Sequence, residues 1–266
     1  MRRFFIPAFI ATSIAFFPAI TSAKSTETGT AVSGKTTQVF CTQPCKIPIL
    51  MYHYISDINR KTTKEGRTLS VTPKVFAGQL DALKMNGYTA IRFADLLSGA
   101  TLPSKPIILT FDDGYLDAAE NALPALLLRQ MVGTFFIISG KIGRNGYMTL
   151  NDIRLLTDNG MEIGAHTVNH PDLRKLTPQK QRFDIGESAA YLRKILNVPV
   201  KVFAYPSGMY KPLTPSIVHS EEMPFAVSTH VGIATQASNP LILPRIRMNN
   251  SMHGGMLVKY LEKMMK

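Results

Sequence analysis

The chain has 266 residues, 45% of them hydrophobic and 18% charged; that balance suits one sizeable globular domain with an extension and excludes a wholly disordered or collagen-like polymer. Thirty Lys and Arg against 18 Asp and Glu give a formal net charge of +12, which points to a polyanionic surrounding or simply to a solvated basic surface. The basic residues are scattered and form no stripe interleaved with stacking aromatics, so attraction to an envelope or an anionic glycan ranks ahead of nucleic-acid binding.

Arg2 and Arg3 open a segment that runs through the apolar residues 4–20 and closes in Thr21-Ser22-Ala23 before Lys24. A charged start, an apolar middle and small residues at the end predict a secretory signal peptide over residues 1–23, and so a periplasmic, cell-envelope or extracellular location. The rival is an uncleaved anchor, but Pro7 and Pro18 interrupt a run already shorter than the ~20 apolar residues that span a bilayer. Residues 24–38, rich in Ser, Thr and Gly, read as a flexible leader that extends to residue 45. Within it, Cys41 and Cys45 are the sole cysteines and, in an oxidising compartment, can close a small disulfide loop. No histidine stands beside them at finger spacing, which excludes a structural zinc site there.

The folded domain is expected over residues 46–266, where short apolar runs alternate with amphipathic stretches in the manner of strands joined by helices. Strands are predicted over residues 47–52, 106–111, 132–138, 161–164, 200–204 and 225–228. Thr149, with Asp152 three residues on and Gly160 at the far end, brackets one helix. Thr177 as N-cap and Pro178 at the first helical position start another that reaches about Leu196, with Gly186 weakening its middle. A last helix is expected from about Gly255 to Met265. Repeated strand-helix units favour a parallel sheet, whose site gathers beyond the C-terminal ends of the strands. His53, Asp112 with Asp113, His166 with His170, and Tyr205 through Gly208 all follow predicted strands, so polar residues able to do chemistry collect at one edge.

Thr110-Phe111-Asp112-Asp113-Gly114-Tyr115 sets two carboxylates where an apolar strand stops. Successive side chains of an extended chain point opposite ways, so one carboxylate can bind a cation while its neighbour faces another part of the pocket. An ordinary Asp-Asp-Gly turn is the alternative. His166-Thr167-Val168-Asn169-His170-Pro171 then supplies two imidazoles four residues apart, in a loop or very short turn given Pro171. Two His and one Asp leave a coordination position open for water, the ligand set of catalytic zinc.

These segments, from about Ile47 to Met248, resemble the NodB-homology polysaccharide deacetylases, carbohydrate esterase family 4. Members carry Thr-Phe-Asp-Asp-Gly, then His-Ser/Thr-x-x-x-His or a close variant, then an Arg/Ala-x-Pro-x-Gly loop; this chain has Thr110 to Gly114, His166 to His170, and Ala204-Tyr205-Pro206-Ser207-Gly208. The resemblance implies an α/β fold, a distorted (β/α) barrel with an incomplete set of strand-helix units. It also implies that Asp113, His166 and His170 hold a divalent metal, Zn2+ first with Co2+ or Ni2+ as alternatives, while Asp112 is the general base. The substrate so implied is an N-acetylated amino-sugar polysaccharide, which loses acetate.

Two departures from the family pattern stand out. Many members place an Arg where this chain has Ala204, to orient the base carboxylate; Arg245 or Arg247 could supply that role from a later strand, and Arg245 is preferred. The late Leu-x-His motif that furnishes the acid elsewhere has no counterpart. Ile47-Pro48-Ile49-Leu50-Met51-Tyr52-His53-Tyr54 is similar instead to the early strand of the poly-N-acetylglucosamine deacetylase branch, which makes His53 the candidate acid. A backbone N–H near Tyr205 is the expected oxyanion donor, and Tyr205 is the residue named for that role. Without Trp, sugar stacking falls to Tyr54, Tyr115, Tyr147, Tyr205 or Tyr210. Two rival readings stay open: a carbohydrate-binding protein with a decayed site, and an O-deacetylase or small-molecule amidase on the same scaffold.

Overall fold

The computed structural model describes residues 40–41, 44–57 and 63–266; the signal peptide expected over residues 1–23 and the leader expected over 24–38 lie outside them. In chain order the elements are β1 (Lys46–Ile47), β2 (Ile49–Tyr52), β3 (Tyr54–Ile55), α1 (Lys64–Thr68), β4 (Ser70–Val71), α2 (Pro73–Met85), β5 (Thr89–Ile91), α3 (Phe93–Leu97), β6 (Pro106–Phe111), α4 (Leu123–Leu128), β7 (Thr134–Ile137) and α5 (Leu150–Asp158). They continue with β8 (Glu162–Ala165), α6 (Pro178–Leu196), β9 (Val202–Ala204), α7 (Thr214–Ser220), β10 (Phe225–Val231), β11 (Ala234–Thr235), β12 (Leu243–Arg247) and α8 (Gly254–Met265).

Seven parallel strands run in the spatial order β2-β12-β10-β9-β8-β7-β6, and β6 pairs back onto β2, so the sheet closes. The first half of β6 is flanked by β5 and its second half by β7. This is the distorted (β/α) barrel with fewer than eight units that the sequence led us to expect. Alternation along each strand sorts the side chains into two apolar layers. Ile49, Ile108, Phe136, Val202, Phe225, Val227 and Leu243 fill the barrel, whereas Leu50, Tyr52, Leu109, Phe111, Phe135 and Phe203 pack outward under the helices.

The helix signals in the sequence act as read. Thr149 and Asp152 form a capping box on α5; Thr177 caps α6, which ends at Asn197 in the left-handed conformation. The strand boundaries differ in instructive places. Pro48 splits the predicted strand 47–52 into β1 and β2, since it has no N–H to give to a ladder. Strand β12, absent from the predicted set, closes the barrel between β10 and β2. Pro244 within it masks the strand signal, and its pairing with β10 shifts register between Val227 and Val231.

The end of the barrel opposite the strand C-termini is plugged by residues assigned above to the leader. Phe40 and Cys41 are buried, Phe40 meets Phe225 edge-on at 6.1 Å, and Cys41 is disulfide-bonded to Cys45. The packed fold therefore starts no later than Phe40, ahead of the boundary expected at residue 46, because these residues cover apolar surface that β1 alone leaves bare.

Inside the barrel, Gly164 of β8 lies against the Phe136 ring, and a Cβ there would overlap Phe136 and crowd Val202. Phe136 in turn supports the guanidinium of Arg245, 5.7 Å from its ring centroid. We predict that Gly164→Ala lowers unfolding stability by about 1–3 kcal/mol, the usual cost of overpacking a filled core. An unchanged urea midpoint would contradict this account of the barrel interior.

Candidate active site

Strand β6 carries Ile108 and Thr110 on the face that looks into the barrel, and Asp112, the residue after the strand, continues that alternation, its N–H bonding the Tyr52 carbonyl at 2.9 Å. At Asp113 the chain leaves the strand with φ +75°, and Gly114 follows at +75°. This double left-handed step folds the second carboxylate back over the same mouth instead of onto the opposite face. Thr167 (+65°), His170 (+57°) and Ser207 (+53°) share the left-handed region, so four of the seven non-glycine residues with positive φ among those described belong to the site. Such conformations cost about 1–3 kcal/mol each and persist where packing imposes them.

Arg245 is fully buried, and its guanidinium grips both oxygens of Asp112 at 2.7 Å. Its remaining donors reach Thr110 Oγ1 at 3.0 Å and the Ser228 carbonyl at 2.9 Å. Burial by itself would raise the Asp112 pKa; Arg245, with His53 and His166 farther off, outweighs it and holds the carboxyl below its ordinary 3.8. Of the two arginines proposed from sequence, Arg245 thus occupies the place left by Ala204, reaching the carboxylate from β12 instead of β9.

His166 Nε2 and His170 Nε2 stand 3.3 Å and 3.5 Å from Asp113 Oδ1. One ligand atom from each residue lies within 4.8 Å of the others. The Ala204 carbonyl, 2.7 Å from His166 Nδ1, accepts its proton, so the Nε2 lone pair faces Asp113. The loop is fixed from behind by Asp184, whose carboxylate accepts the N–H groups of Val168 and Asn169, and by Thr167 Oγ1, which accepts the His170 N–H. Two imidazoles and a carboxylate, convergent and open on one side, fit a divalent cation with room for a further ligand.

His53 continues β2 beyond Tyr52, and its Nε2 is 3.9 Å from Asp112 Oδ2, outside the three-residue cluster. It lines the pocket and is not packed beneath the sheet. Burial lowers its pKa, only partly opposed by the Asp112 and Asp113 carboxylates.

Tyr205 requires a correction. Its N–H donates to the Val227 carbonyl, its hydroxyl to the Leu241 carbonyl at 2.8 Å, and its ring is buried, so it can neither hold an oxyanion nor stack on a sugar. Pro206 has no N–H, which leaves Ser207, exposed and left-handed, as the first residue of the loop whose N–H no hydrogen bond of the described residues consumes. The sequence held that signal, since a proline immediately after Tyr205 passes the donor role onward. Of the other tyrosines, Tyr54 stacks on Tyr115 at 4.0 Å and Tyr115 meets Tyr147 at 5.1 Å, while Tyr210 sits apart, near His230.

Comparison with known proteins accords with this geometry. The family model described as polysaccharide deacetylase matches residues 99–226. The Bacillus subtilis (strain 168) protein YxkH, a polysaccharide deacetylase by name, is 30% identical over 226 residues, 84% of this chain and 78% of the relative. A poly-β-1,6-N-acetyl-D-glucosamine N-deacetylase of Staphylococcus aureus (strain MRSA252) is 24% identical over 206 residues, 71% of each chain. Among solved structures, the Streptococcus pyogenes deacetylase PplD in complex with acetate superposes with a TM-score of 0.74 at 34% identity, covering 82% of this chain and 98% of that one. With its parallel barrel and the convergent Asp-His-His cluster beside a second, arginine-held aspartate, this chain belongs to the polysaccharide deacetylase family.

Proposed function

We propose that the protein is a metal-dependent hydrolase that removes N-acetyl groups from an amino-sugar polysaccharide and releases acetate. The observation that carries this reading is the division of labour between the two aspartates: Asp113 converges with His166 and His170, while Asp112 is turned away onto Arg245. A divalent cation held by Asp113, His166 and His170, zinc by preference, would supply Lewis acidity toward the amide carbonyl and an acidified water. Asp112, kept ionised by Arg245, takes the proton from the attacking water. The Ser207 N–H is available to the carbonyl oxygen as negative charge develops on it. His53 Nε2, beside Asp112, is placed to pass a proton to the departing amine. The relatives named for glycan deacetylation support this substrate class, and residues 1–23 support export to the envelope, where such polymers lie.

The test is acetate release from N-acetylated and O-acetylated glycans by the purified protein, with and without added metal. Release from N-acetylated polymer alone supports the reading; affinity without release would indicate a binding protein.

The two aspartates should separate by measurement. Asp113→Asn is expected to weaken zinc binding itself, whereas Asp112→Asn should keep its metal and lose about 10²–10⁴-fold in turnover. Equal metal loss in both variants would reject the division of roles. His53→Ala should likewise retain metal while turnover falls, and a loss of thermal stability in proportion to activity would instead mark it as structural.

Arg245 gives a pH prediction. Because the folded Asp112 pKa is depressed, the pair's stabilisation is present above about pH 3.8 and is lost as pH falls through the folded value. Removing Arg245 leaves burial unopposed and raises that pKa. The acid limb of kcat/KM in Arg245→Gln should therefore move to higher pH, alongside a stability loss of about 3–5 kcal/mol. Arg245→Lys, which keeps the charge but not the fork, should show a smaller displacement, and unmoved limbs in both would exclude the positioning role.

A further inference from the structure

The second arginine of β12 is not absorbed by this mechanism. Leu243, Arg245 and Arg247 alternate onto one face of the strand, the first in the barrel core and the second on Asp112. Arg247 is therefore the next step up the same column, at the open mouth. The register agrees, since Arg247 is opposite Met51 of β2, and the residue that follows Met51 on that face is His53. Its charge is felt at His53, where it opposes protonation. Unlike Arg245, Arg247 is exposed, and its guanidinium has no hydrogen bond, ion pair or ring contact among the described residues.

The two carboxylates of the site are engaged elsewhere. Asp112 is already matched by Arg245, and Asp113 faces His166 and His170. Across the opening, the loop after β7 adds Lys141, 5.6 Å from the Tyr147 ring, and Arg144, and neither forms an ion pair with a described carboxylate. An exposed arginine in the same column as a second arginine, beside the group that meets the leaving amine, adds to a positive potential at the mouth that an arriving anion would share.

We propose that Arg247 is a specificity-determining residue that binds an oxyanion, a carboxylate or phosphate, carried by the N-acetylated sugar or by its immediate neighbour in the polymer. The preferred substrate is then an acidic amino-sugar glycan and not a neutral one. Guanidinium geometry suits this, because its paired N–H groups match both oxygens of such a group. The inference rests on the deacetylase reading above and narrows its substrate.

The experiment compares kcat/KM for acetate release from four probes: neutral N-acetylglucosamine oligomers, the same oligomers phosphorylated at O6, glycan strands bearing lactyl carboxylates, and those strands with the carboxylates amidated. Native protein should favour at least one anionic probe over its neutral counterpart by about tenfold or more, and that preference should shrink as salt rises. Whether the phosphate or the carboxylate pair shows it identifies the oxyanion. In Arg247→Gln the ratio within that pair should collapse toward one, chiefly through KM, and Arg247→Lys should restore part of it; metal content reports that the site is intact. Equal rates on charged and neutral probes, or a ratio that Arg247→Gln leaves untouched, overturn this inference alone. No acetate from any probe overturns the deacetylase reading and this inference together.

Discussion

The buried pair between Arg245 and Asp112 is the interaction on which the rest of this site depends. Taking both charges out of water costs several kcal/mol per ion, and their attraction offsets that only when geometry is good and the remaining donors are satisfied. Both conditions are met: two contacts at 2.7 Å, with Thr110 Oγ1 and the Ser228 carbonyl accepting from the guanidinium. The pair joins the last barrel strand to β6 across β2, so it can form only once the sheet has closed. Barrel closure and an ionised base are in this way one structural event.

Around that pair the mouth is assembled from loops in conformations that an L-residue adopts reluctantly. Asp113, Thr167, His170 and Ser207 all have positive φ, and three of them bear or adjoin the convergent imidazole and carboxylate atoms. Close packing from below imposes the strain. Gly208 leaves no space for a Cβ against Thr229, and Gly140 is pressed on the Val168 backbone. Moving the loop after β6 or the loop after β8 outward would separate Asp113 from His166 and His170.

Ala204 shows how one function can be redistributed over a scaffold. Its side chain is part of the barrel core and cannot orient a carboxylate, yet its carbonyl fixes the His166 tautomer, and the orienting guanidinium arrives from a different strand. The loss of a motif residue is therefore no sign of a decayed site here. Keeping the buried Asp112 carboxylate ionised takes a matching cation, but the physics is indifferent to which strand supplies it.

The sequence by itself determined the barrel class, the helix caps at Thr149 and Thr177, and the gathering of His53, Asp112, Asp113, His166 and His170 at one edge. Periodicity, caps and strand-end motifs are local, so they survive in one dimension. It did not determine strand β12, where Pro244 hides the pattern, nor the packing of Phe40 under the barrel. It also placed the oxyanion donor two loop positions too early, because whether the Tyr205 N–H is free depends on a partner, Val227, that only the neighbouring strand provides. The choice between Arg245 and Arg247 was decided in the same way. Both lie on one face of one strand, and only the depth of each within the closed barrel separates the residue that holds the base from the one that looks out of the mouth.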